Sequence, residues 1–104
     1  PNALEFFQDM ARSLGPRGFE VHTRALQRRR DHQSSLYRAQ CPVQVIAGAH
    51  DTVITPKRQE FLAGLAPNGA FTLLDTAGHL PTLEDPQAVT AILRSWLKPK
   101  ARAA

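Results

Sequence analysis

Cysteine, methionine, tryptophan and tyrosine occur once each among the 104 residues. With Cys41 as the sole cysteine, no disulfide can form inside the chain, which excludes disulfide-stapled secreted scaffolds and points to a reducing compartment such as the cytoplasm. No apolar run approaches the ~18 residues that cross a bilayer, so neither a membrane span nor a membrane partner is expected. No secretory signal pattern is present. The chain opens Pro1-Asn2-Ala3 without an initiating methionine, as a piece of a longer polypeptide would. Its length suits one small domain with one core and falls short of a doubly wound sheet covered on both faces, which takes roughly 200 residues or more.

Hydrophobic residues make up 42% and charged residues 21%, the balance of an ordinary globular protein. The formal charge of +4 is unevenly spread: seven of the 13 basic residues fall between Arg12 and Arg38, four between Arg94 and Arg102, and only Lys57 and Arg58 between those groups. A solvated helix face with a basic tail accounts for this better than a nucleic-acid surface does.

Phe7, Met10, Ala11 and Leu14 follow the i, i+3, i+4, i+7 spacing of an amphipathic helix over residues 3–14. Gly15-Pro16-Arg17-Gly18 ends it. A second helix is expected over 18–31, with Phe19, His22, Ala25 and Leu26 on one face and Arg24, Arg28 and Arg29 outside. Residues 32–40 lack periodicity and read as a connection. Val43-Gln44-Val45-Ile46-Ala47-Gly48 is short, β-branched and apolar, with Pro42 before it. That is the pattern of a strand buried on both faces in a parallel sheet.

Thr55-Pro56 opens a helix with an N-cap and a first-turn proline. Phe61, Leu62 and Leu65 form its buried side, and Pro67-Asn68-Gly69 stops it. Residues 70–75 make a second strand, and Asp85-Pro86 opens a last helix with the stripe Val89, Ile92, Leu93 and Trp96 as core. Lys98-Pro99 ends that helix, and 99–104 form a basic tail. The order from residue 42 is strand, helix, strand, helix, for which a right-handed crossover between parallel strands is the default.

Two positions carry chemistry. His79, behind Gly78, sits between the second strand and a helix start. Asp51 follows the first strand in Gly48-Ala49-His50-Asp51. An acid and a histidine on neighbouring strand ends are two members of a Ser-His-Asp triad. The third is missing, for no serine lies in a Gly-x-Ser-x-Gly turn.

Joined in this order, Cys41–Asp51, the Thr55-Pro56 helix start, Ala70–Pro86 with its Gly-His-Leu-x-x-x-Glu-x-Pro, and Ala88–Leu97 resemble the C-terminal portion of the α/β-hydrolase family, in its esterase and enol-lactonase-like branch. The likeness covers 41–97. It implies an α/β fold: the C-terminal part of a doubly wound sheet, two parallel strands with helices, preceded by helices from a cap region. Residues 1–40 then form a cap-derived segment and connection, 41–98 the core βαβα part, and 99–104 the tail. It implies Asp51 as the acid that orients the histidine, and His79 as the base of acyl transfer from a small ester or lactone. The nucleophile lies outside this chain, which alone would be inactive. The strand that precedes 43–48 in the family is also missing, so the fragment is expected to self-associate through the unpaired edge of 43–48.

Glu84 is assigned to a helix start, and Leu80 and Leu83 to packing under the loop. Gly78 is expected to give the backbone room to turn. His50 reads as an exposed loop residue and Cys41 as a packing residue. His22 and His32 have no second ligand at metal-binding spacing, and no metal or cofactor is expected. The competing reading is a small basic binding module with no enzymatic role. The helices 3–14 and 18–31 superficially resemble a helix-turn-helix, though Phe19 and Leu26 leave only part of the second helix free for a groove.

Overall fold

The pairing of Val43 with Gly69 starts a parallel ladder that ends with Gly48 opposite Leu74, and the candidate site hangs from that last rung. A computed structural model describes residues 3–98. In chain order the elements are α1 (Ala3–Arg28), α2 (Gln33–Tyr37), β1 (Val43–Gly48), α3 (Pro56–Leu65), β2 (Gly69–Leu74), α4 (Pro81–Glu84) and α5 (Pro86–Leu97). The expected basic tail lies outside the described residues. The chain divides into two compact units between His32 and Gln33.

In the first unit, α1 is two helical arms. Gly15 leaves helical geometry with φ 76° and ψ 170°, a left-handed conformation that glycine adopts without a Cβ clash. Pro16 then opens the second arm, where its fixed φ suits a first turn. The break falls where the sequence places it, but the second arm starts earlier than residue 18 and ends at Arg28 rather than 31. None of its residues is buried, so Phe19 and Leu26 form no packed face within this unit. Arg12 and Arg24 pair with Asp9 and Glu20 of their own arms at 3.1 and 2.7 Å, exposed ion pairs of little energetic weight.

The second unit is a sheet with helices. Parallel strands need a crossover, which α3 supplies while packing on both β1 and β2. Its start is fixed as the sequence predicts: Thr55 Oγ1 accepts from Arg58 N at 3.3 Å, and Pro56 occupies the first turn. Asp85 does the same for α5, accepting from Ala88 N at 3.2 Å. Residues 32–40, expected as a connection, contain α2, which packs on α3.

The buried apolar residues are small: Ala47, Ala63, Ala66, Ala77 and Val89. Several expectations about the core are corrected here. Along β1 only Ala47 and Gly48 are buried, whereas Val43 to Ile46 are half-covered, because no third strand pairs with β1 among the described residues. On α3 only Ala63 is buried, with Ala66 buried at its C-cap, whereas Leu62 and Leu65 are half-buried and Phe61 is exposed beside Arg58. On α5 Val89 is buried while Leu93 and Trp96 are exposed. Cys41 lies ahead of β1 and is exposed. No helix among the described residues is long and apolar enough to cross a membrane.

Candidate active site

The end of β1 and the loop after β2 meet main chain to main chain. A Cβ on Gly48 would stand 2.4 Å from the Ala77 oxygen and 2.2 Å from the Gly78 oxygen, closer than any side chain tolerates. Glycine is therefore demanded at position 48 by close approach. Gly78 has no such constraint: its φ is not positive, and a Cβ there would come only to 3.4 Å from the Glu84 carboxylate. Backbone hydrogen bonds lock the crossing, from Ala49 N to Leu74 O at 2.9 Å and from His50 N to Ala77 O at 3.1 Å. His50 is exposed as expected, yet its ring is engaged, Nε2 donating to the Asp75 carbonyl at 2.9 Å.

The turn after Gly48 brings Asp51 inward, where it is the only buried charged residue among those described. Burial is tolerable because each carboxylate oxygen has donors. Val53 N and Ile54 N donate to Oδ1 at 2.9 and 3.0 Å, and Gln59 Nε2 donates to Oδ2 at 3.1 Å. His79 completes the set, with Nδ1 lying 3.0 Å from Oδ2 and 3.2 Å from Oδ1. Desolvation works against the carboxylate, but the bonds from His79, Ile54 and Val53 outweigh it and hold the Asp51 pKa below its ordinary 3.8. The two residues singled out by sequence are thus brought into direct contact across the sheet end.

The partners differ in exposure. The Asp51 side chain is 4% accessible and that of His79 45%. With Nδ1–H given to the carboxylate, a neutral His79 ring carries its lone pair on Nε2. Among the described residues no hydrogen bond occupies Nε2. Both residues line a cavity of about 270 Å³ whose apolar walls include Leu36, Val45, Ile46 and Leu62.

Glu84 contributes a feature that sequence reading understates. Its Oε2 accepts from Leu80 N at 3.0 Å, closing the start of α4 as a helix-start residue does, and also from Gly78 N at 3.1 Å, outside the helix. Leu80 is half-buried in this loop, while Leu83 is exposed. His22 and His32 lie in the first unit, away from any cluster, and no group of three or more His, Cys, Asp or Glu among the described residues could hold a metal ion.

No protein-family profile and no curated protein matches the chain. Solved structures do. One is a thermophilic esterase from Thermogutta terrifontis, similar over 67% of this chain at 36% identity with a TM-score of 0.65. Another is a hydrolase from Pseudomonas aeruginosa, over 66% at 35% identity with a TM-score of 0.60. A third, an α/β-hydrolase enzyme from a sediment metagenome of the Mar Chica lagoon, Morocco, is similar over 88% at 24% identity with a TM-score of 0.71, a likeness of fold. The chain spans 26% of the length of the first two and 43% of the third.

Proposed function

For a chain that carries the C-terminal part of the α/β-hydrolase fold, we propose that His79 and Asp51 are the base and the orienting acid of an acyl-transfer site. The substrate class is a carboxylic ester or lactone. The observation that carries this reading is the Asp51–His79 pair, with Nδ1 held by a buried carboxylate and Nε2 without a hydrogen-bond partner among the described residues. A serine hydroxyl is a weak nucleophile at neutral pH and needs a base to take its proton as it attacks. His79 Nε2 takes that proton and returns it to the leaving alkoxide, while Asp51 holds the tautomer and stabilises the imidazolium.

The serine comes from sequence outside these residues. Within the second unit Ser34, Ser35 and Ser95 lie on helices, and His79 Nδ1 is bonded to Asp51 instead. The first unit is assigned to a cap, and a cytoplasmic setting goes with a lone thiol at Cys41. The esterase likeness supports the substrate class. The test has two arms. The coding sequence upstream is expected to hold a Gly-x-Ser-x-Gly element, and its absence within roughly 200 residues sinks the reading. In a chain extended to include that element, an activated ester is hydrolysed, and His79→Ala lowers kcat by about a million-fold and Asp51→Asn by about ten-thousand-fold. The 104 residues alone turn over no ester above background.

The free edge of β1 is assigned to self-association with a second copy of this chain. Val43 N donates to Asn68 O and Ala49 N to Leu74 O. In a parallel ladder the N–H groups alternate in direction, so those of Gln44 and Ile46 face the unpaired edge. Such an edge templates pairing with another chain. Gln44→Pro removes an outward N–H without touching the β1–β2 ladder. Light scattering is expected to show oligomers for the parent chain and a shift toward monomer for this variant; a clean monomer in both removes the proposal.

A further inference from the structure

Two carboxylates grip the segment around His79, and only one of them touches its ring. Glu84 touches the main chain. Its Oε2 receives Gly78 N at 3.1 Å and Leu80 N at 3.0 Å, the peptide groups immediately before and after His79. One oxygen taking both N–H groups bends residues 78–80 around itself and leaves the His79 side chain as the free arm of that bend. Closing the start of α4 needs only the bond to Leu80, whereas the bond to Gly78 lies outside any helix. The backbone that carries this carboxylate is itself held, since Glu84 N donates to Leu80 O at 3.0 Å and Asp85 N to Pro81 O at 2.9 Å. Among the described residues no cation pairs with Glu84, so its hydrogen bonds go to this loop.

We propose that Glu84 is a positioning residue for His79: by accepting both flanking N–H groups it sets the backbone of the histidine, so that Asp51 needs to fix only the ring. This rests on reading His79 as the catalytic base. The action is geometric, through acceptor placement. A Gln side chain retains an oxygen at the same reach; an Asp side chain is one methylene too short to bridge both N–H groups; an Ala side chain has no acceptor.

The test is made on the 104-residue chain by NMR, free of any activity measurement. It reads the Gly78 and Leu80 amide proton shifts and the His79 tautomer from imidazole 15N–1H correlations above the ring pKa, with Val89 and Ala47 methyl shifts as the check of fold. The wild type and Glu84→Gln are expected to hold the Nδ1–H form. Glu84→Asp and Glu84→Ala are expected to move both amide shifts upfield together and to give a mixture of tautomers. Retention of the Nδ1–H form by Glu84→Ala or Glu84→Asp in an intact fold overturns the proposal. So does its loss in Glu84→Gln, since charge would then be the operative property. If Glu84→Ala does not fold, the Gln and Asp variants decide, and unfolding of Glu84→Gln too assigns the residue to stability alone and overturns the proposal. A positive result alongside a parent without a nucleophilic serine leaves the positioning intact and removes the hydrolase reading, so the two fail separately.

Discussion

The loop after β1 and the loop after β2 present one member each of the candidate pair, and they hold it by opposite means. Asp51 is fixed through its side chain: four donors converge on two buried oxygens, and the loop 51–55 with the first turn of α3 is wrapped around them. His79 is fixed through its main chain by Glu84, and its ring has a single partner. An orienting group profits from being over-determined, because it must not move when the proton does. A proton carrier needs one occupied nitrogen and one accessible one. The contrast teaches that burial and exposure are divided between the two residues as the roles proposed for them require.

The sharpest way to break this contrast is Asp51→Ala. It strips the acceptor from Val53 N, Ile54 N and Gln59 Nε2, and unmet buried donors cost about 1–3 kcal/mol each before relaxation. A net loss of about 2–4 kcal/mol in urea unfolding is expected. A loss under about 0.5 kcal/mol would show that the acid loop is held by something else.

Acid gives the next effect. The folded pKa of Asp51 lies below 3.8, so its ionised form stabilises the fold at neutral pH. That contribution is complete above the unfolded value and is lost as pH falls through the folded one. Asp85 moves in the same direction, held down by the Thr76 hydroxyl and Ala88 N–H. The useful comparison is therefore with Asp51→Asn, whose stability is expected to decline less steeply below pH 3.8; identical acid profiles would contradict the assignment.

The smallest effect belongs to His79→Ala. Its ring is nearly half exposed and Asp51 keeps three donors without it, so stability is expected to change by no more than about 0.5 kcal/mol. A cost comparable to that of Asp51→Ala would erase the distinction between the loops.

Much of this was readable before any coordinates. Four apolar residues among the five between Pro42 and Gly48, a Thr-Pro and an Asp-Pro helix start, and an i, i+3, i+4, i+7 stripe locate β1, α3 and α5 because each rests on a local physical rule. Asp51 and His79 were legible by their places at strand ends. The short helices α2 and α4 were not, since five and four residues carry too little periodicity to register. Burial was misjudged wherever it depends on what lies beyond the segment: the stripe of α5 and the faces of β1 look like core in sequence but are covered only in part. The reach of Glu84 to Gly78 was hidden as well, because a side chain that bonds a backbone six residues earlier leaves no pattern in residue spacing.

Gly48 remains the least conspicuous part of this arrangement and the one with the widest reach. Because no Cβ fits between it and the Ala77 and Gly78 carbonyls, the approach of the acid's strand end to the histidine's loop is set main chain to main chain, and the Glu84 and Asp51 hydrogen bonds act within that spacing. Leu36, Val45, Ile46 and Leu62 can therefore be exchanged for other apolar residues, reshaping the cavity, without detuning the pair. A lineage carrying this crossing is free to remodel the walls around the pair while the pair itself stays in register.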